Sequence, residues 1–170
     1  MKTTMKTTMK INKGTGAGGA NTNKNGLDWE SVTHIHSEMV PKNYFSPKSK
    51  RGLFKILKDF KDKDVIAMHG CKQPDECFID IKNKIIVILE KKFQNKGGSV
   101  CEKLQTIDAK LYNFNKMFPS FNVHYVYCLN NWFKTNCYAE LDYLDYKNIK
   151  YFWGEDENYK KEFCNYLKEL

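Results

Sequence analysis

Three residues near the middle of the chain are of types that could do chemistry on a phosphate: Asp75, Glu90 and Lys92. Glu90 and Lys92 end the segment KIIVILEKKF, in which Ile85 to Leu89 are all apolar. Such a run reads as a strand buried on both faces. Side chains alternate along a strand, so Ile88, Glu90 and Lys92 share one face and Leu89 and Lys91 the other. Residues 76–81 read as a partner strand, joined through a hairpin turn at Lys82-Asn83-Lys84. With the hairpin centred on Asn83, Glu90 lies across from Glu76, next to Asp75, and Lys92 lies across from Pro74. Directly opposed Cβ atoms are about 5 Å apart, so Asp75, Glu90 and Lys92 are expected to converge at one end of the sheet. Asp80, the competing acid, would face Ile86, roughly 13 Å along the strand from Glu90, too far to share a metal ion.

Two carboxylates at the edge of an apolar sheet repel each other unless a cation lies between them. Hard oxygen ligands suit Mg²⁺, which keeps several waters and takes few protein carboxylates. Such an ion polarises a phosphoryl oxygen and lowers the pKa of a bound water. A lysine beside it can hold the phosphate and stabilise charge in the transition state. Two acids, one lysine and one metal are the parts of a phosphodiester hydrolase. Spacing alone leaves open an ordinary strand end, with Glu90 paired to an exposed lysine.

The elements that must position these residues follow from the same reading. A helix is expected from near Leu27 to Met39, then a loop at Pro41 and Pro47. Residues 52–60 form a short amphipathic segment, and residues 64–70 read as a first strand. Ser99-Val100-Cys101-Glu102 matches a capping box, with Glu102 as the partner of Ser99, opening a helix that runs to about Met117 before Pro119. Strands are expected at 121–129 and 149–154, and helices at about 130–146 and 157–170. The order predicts an α/β fold, a central mixed β-sheet flanked by helices. Residues 1–17 read as a flexible basic tail and 18–170 as a single domain. Gly14-x-Gly16-x-x-Gly19 has the dinucleotide fingerprint without the preceding strand that the motif needs. His34, His36 and His124 are expected to be structural or exposed, and His69 to lie close to the site. Tyr125, Tyr127, Trp132 and Tyr138 are expected in the core.

The chain has 170 residues and a net charge of +8, with a pI of about 9.1. That balance favours a polyanionic partner, nucleic acid or a membrane surface. Arg51 is the sole arginine, so guanine reading by bidentate arginine has little to draw on. Six cysteines lack C-x-x-C spacing, which disfavours structural zinc and predicts reduced thiols in a cytosol-like compartment. MKTTMKTTMK has no apolar stretch of the secretory-signal kind, and no run is long enough to cross a membrane.

Pro74-Asp75, fourteen residues, then Glu90-Lys91-Lys92 resembles the motif of the PD-(D/E)XK nucleases. In that family a proline-aspartate opens one strand of a hairpin and the acid-x-lysine closes the next, in a restriction endonuclease-like mixed sheet flanked by helices. GGANTNKNGLDWE, residues 18–30, resembles the N-terminal segment of several type II restriction endonucleases, where a glutamate on the first helix faces the metal; here that is Glu30. CKQPDECF (71–78) and GSVCEKLQT (98–106) resemble the surroundings of the first acid and the helix after the acid-x-lysine. The resemblance spans about Gly18 to Trp132. It implies a cytoplasmic, Mg²⁺-dependent endonuclease acting on double-stranded DNA, site-specific and of type II. Asp75, Glu90 and Lys92 would be catalytic, and Asp75, Glu90 and Glu30 would hold metal. Lys72, Lys103 and Gln105 would contact DNA, although Lys103 and Gln105 read equally well as a solvated helix face. A homodimer and a cognate methyltransferase are the expected partners. The alternatives are a repair or recombination nuclease of the same superfamily and a non-catalytic DNA-binding protein.

Overall fold

A computed structural model describes residues 19–60, 64–66, 73–97 and 99–170. The expected basic tail, Lys72, His69, Cys71 and most of the expected first strand lie outside these residues. The elements are α1 (Gly19–Val32), α2 (Lys50–Asp59), β1 (Glu76–Asp80), β2 (Ile85–Lys92), α3 (Glu102–Gln105), α4 (Ile107–Met117), β3 (Asn122–Leu129), α5 (Trp132–Asn136), α6 (Tyr138–Tyr146), β4 (Tyr151–Trp153) and α7 (Tyr159–Glu169). The fold is α/β. Its four strands form one mixed sheet in the order β1-β2-β3-β4. β1 and β2 are an antiparallel hairpin, and β3 and β4 each run parallel to the strand before. The parallel steps need crossovers, which α3–α4 and α5–α6 supply.

Both faces of the sheet are buried, which explains why Ile85 to Leu89 read as an unbroken apolar run. One face carries Cys77, Ile79, Ile86, Ile88, Tyr125 and Tyr127 and packs on α2, α4, α5 and α6 through residues such as Leu53, Phe114, Phe133 and Leu144. The other carries Phe78, Val87, Leu89, Val126 and Cys128 and is covered by Trp29 and Ile35 from the α1 side and Phe163 and Leu167 from α7. Gly154 is required where the chain leaves β4: a Cβ there would lie 2.6 Å from both Cys128 Sγ and Trp29 Cζ2. That close approach lets α1 seat against the sheet. No helix among the described residues is long and apolar enough to cross a membrane.

Several expectations need correction. The helix expected from Leu27 to Met39 begins at Gly19 and ends at Val32. Residues 64–66 are not in a strand, and Ile66 N–H instead donates to the Met117 carbonyl at the end of α4. The capping box does not form: Cys101 is the N-cap of α3, without a side-chain cap. The single helix expected there breaks at Thr106, whose hydroxyl turns back to the Lys103 carbonyl at 2.7 Å. The thiols are not all reduced, since Cys101 and Cys137 form a disulfide 36 residues apart in sequence. The contact between α3 and α6 that joins them leaves no mark in cysteine spacing. Among the aromatic residues expected in the core, Tyr125 and Tyr127 are buried, whereas Tyr138 is 69% exposed.

Candidate active site

The hairpin turn sets the geometry. Its four residues, 81–84, close with Lys84 in the left-handed region at φ 56°. Asp80 fixes the turn: its Oδ1 accepts the Asn83 N–H at 3.0 Å, and its Oδ2 accepts from the Asn83 and Asn43 side-chain amides at 2.9 and 2.6 Å. Asp80 is therefore a turn residue, as its distance from Glu90 implied. The register follows as Asp80↔Ile85 and Glu76↔Leu89, one residue off the expected pairing of Glu90 with Glu76. A one-residue slip moves a side chain to the opposite face. Glu76 therefore lies with Leu89 and Lys91, and extending the ladder by one residue sets Asp75 opposite Glu90. The Asp75 Oδ2 accepts the backbone N–H of Lys91 at 2.6 Å, which ties Pro74-Asp75 to the end of β2.

Glu90 and Lys92 leave β2 on the α4 side. The Glu90 Oε1 accepts from Lys92 Nζ at 2.6 Å and from Lys110 Nζ at 3.2 Å, and Tyr125 also hydrogen-bonds the carboxylate. Lys110 is held over the rings of Tyr125 and Tyr127, 5.7 and 5.6 Å from their centroids. These groups line a cleft of about 520 Å³ with Gln73, Asp75 and Asn113. Asp75 also borders a second cleft of about 440 Å³, lined by His34, Ser37, Lys48 and Glu76.

The two acids of the first cleft are driven apart. Burial, and then the charge of Glu90, push the Asp75 carboxyl up to about 6, against the opposing pull of the Lys91 N–H and of Lys92. Glu30 adds to that rise, so its charge is felt at Asp75. Burial also works against ionised Glu90, but Lys92 and Lys110, aided by Tyr125, outweigh it and hold the group below its ordinary value. Neighbouring acids whose surroundings move their pKa values in opposite directions are the pattern of acid–base sites and make this cleft the candidate. The donor set is hard oxygen, and a divalent cation beside Asp75 would offset both the burial of its charge and the repulsion from Glu90, so the residues fit Mg²⁺ better than a thiophilic metal. Glu30 does not complete a tight carboxylate triad. Among the described residues, the only three ligand atoms of this kind within 4.8 Å of one another belong to Cys101, Cys137 and Glu140.

Asp75, Glu90 and Lys92 thus meet at one cleft; the exposed Glu30 does not line it, and reaches Asp75 only through its charge. Lys103 and Gln105 do not line the cleft: both are exposed, and Gln105 binds Glu140 of α6 at 3.0 Å. The following helix faces the cleft instead, through Ala109, Lys110 and Asn113, with Thr106 at its N-cap. Lys110 and Tyr125 were missed in the sequence. Lys110 had a signal, because Ile107, Phe114 and Met117 make the buried stripe of α4, and a lysine three residues after Ile107 and four before Phe114 interrupts it. His34 is exposed, with Nδ1 3.3 Å from Glu76. The His124 ring meets the Tyr166 hydroxyl of α7 at 3.3 Å and does not line the cleft. Compared with models of protein families, with curated proteins and with solved structures, the chain matches none.

Proposed function

We propose that this protein is a Mg²⁺-dependent phosphodiester hydrolase acting on DNA, a nuclease with the PD-(D/E)XK motif and a restriction endonuclease-like fold. The observation that carries the reading is the convergence of Asp75, Glu90, Lys92 and Lys110 on one cleft, with the Asp75 carboxyl raised to about 6 beside Glu90. Asp75 and Glu90 would hold Mg²⁺, with Glu30 near enough to bias the site by charge. A bound Mg²⁺ supplies polarisation of the phosphoryl oxygen and a water of lowered pKa.

The remaining work belongs to the chain itself. Lys92 is half-buried at the rim of the cleft, where its ammonium can bind a non-bridging phosphate oxygen and orient the attacking water. Lys110, stacked over Tyr125 and Tyr127, offers a second positive charge to the pentacovalent transition state. Both lysines neutralise Glu90 until substrate arrives, so a phosphate enters a cleft that already carries its counter-charges. The net charge of +8 favours DNA through counterion release. Type II site-specific cleavage by a homodimer, cytoplasmic and paired with a methyltransferase, is the finer form of this proposal.

Incubation with long linear DNA and Mg²⁺, beside Lys92→Ala and an EDTA control, tests it. Discrete fragments lost in both controls support site-specific cleavage. A smear lost in both supports a repair or recombination nuclease. Intact DNA across several sequences and divalent metals, from folded protein, overturns catalysis and leaves a DNA-binding protein.

A further inference from the structure

The opposite face of the same strand end holds two charges that the proposed reaction does not use. The Lys91 side chain is 1% exposed and that of Glu76 is 8% exposed, and the two form an ion pair. The sheet face on which they lie carries the apolar cluster of Trp29, Ile35, Leu89 and Phe163, while Glu76 also borders the second cleft, where His34 Nδ1 stands 3.3 Å away. A buried ion pair adds little net stability over apolar residues of the same shape. What it adds is direction. Lys91 Nζ donates to the Glu30 carbonyl at 2.8 Å. The Glu76 carboxylate accepts the Ile35 N–H at 3.2 Å through Oε2. Lys91 also holds Asp75 through its own backbone N–H. One residue therefore grips an acid of the site through its main chain and, through its side chain, the helix that carries a second acid.

We propose that the Lys91–Glu76 pair is a clamp that docks the last turn of α1 on the hairpin and so fixes where Glu30 stands relative to Asp75. Lys91 is on this account a positioning residue for cation binding. The proposal rests on the metal-dependent reading above.

The double variant Glu76→Gln/Lys91→Met tests it. The glutamine amide keeps an acceptor for the Ile35 N–H, the methionine fills the space of the lysine stem, and no buried charge is left unpaired, so the fold is retained. Two quantities are read: the Mg²⁺ dependence of DNA cleavage, and hydrogen exchange of the amides of residues 29–35. Outer partners of metal ligands are worth roughly 10- to 100-fold in metal affinity. The half-saturating Mg²⁺ concentration is therefore expected to rise by about that factor, with the rate at saturating Mg²⁺ little changed. Exchange in residues 29–35 is expected to quicken while β2 and β3 stay protected. Lys91→Arg, which keeps charge and donors, is expected to restore wild-type Mg²⁺ dependence. A folded double variant with unchanged Mg²⁺ dependence and unchanged exchange overturns the clamp, as does a lowered Tm with unchanged Mg²⁺ dependence. If the wild type shows no metal-dependent cleavage, the nuclease reading falls, and exchange alone decides whether the clamp exists.

Discussion

The end of the hairpin presents charge on both sides of the sheet, and the two sides behave differently. Asp75, Glu90 and Lys92 point toward α4, Glu76 and Lys91 toward α1, and the residues alternate along the same two strands. On the α4 side Glu90 meets two lysines, Asp75 is raised to about 6, and a cleft of about 520 Å³ opens. On the α1 side Glu76 meets the buried Lys91 against an apolar cluster and reaches the exposed His34 at the edge of the second cleft. Identical residue types line an open cleft or form a buried ion pair according to what covers them. An open cleft leaves polarised groups for a ligand to complete, whereas a buried position beside an apolar cluster tolerates charge only when it is paired.

Truncating the buried ion pair should have the largest effect. Lys91→Ala leaves Glu76 buried with only the exposed His34 as a charge partner, and stability is expected to fall by about 3 kcal/mol, measured by urea unfolding. Lys92→Ala leaves Glu90 still paired with Lys110, so its loss of stability should be much smaller. Equal losses in the two variants would abolish the distinction between the faces.

Activity should show the reverse order. Lys92→Ala is expected to lower the cleavage rate roughly 10²–10³-fold, and Lys110→Ala by less, because Lys110 reaches Glu90 from farther away. A larger loss in Lys110→Ala would exchange the roles of the two lysines.

The pH dependence separates the acids themselves. Asp75 has a folded-state pKa raised from 3.8 to about 6, so the folded state holds that proton more tightly than the unfolded chain. Its contribution to stability is full below 3.8 and lost as pH rises through about 6. Glu90, whose pKa is lowered from 4.5, contributes above 4.5 and loses that contribution as pH falls through its depressed value. Urea midpoints of metal-free Asp75→Asn should lack the decline toward pH 6 expected of the wild type. Saturating Mg²⁺ should remove that decline from the wild type as well, since a cation favours the ionised carboxylate.

The smallest effect is expected for Lys103→Ala. The residue is exposed on a four-residue helix and does not line the cleft, so stability should move by no more than about 0.5 kcal/mol. Salt-dependent DNA binding should change little, and a loss comparable to that of Lys92→Ala would return α3 to the DNA interface.

Sequence by itself determined the strands of the hairpin, the α/β class and the meeting of Asp75, Glu90 and Lys92. These depend on local alternation and on a short turn, and both are written in neighbouring residues. The register was missed by one because the Asp80 side chain and the left-handed Lys84 decide the turn, and neither alters the apolar pattern. Tertiary structure alone decided that Lys91 and Glu76 form a pair, that Lys110 from a separate helix reaches Glu90, and that Cys101 meets Cys137. Each of these contacts joins elements brought together by burial of the sheet's two faces. Burial is non-directional, so it leaves an apolar stripe in the sequence and no record of which polar group will stand opposite.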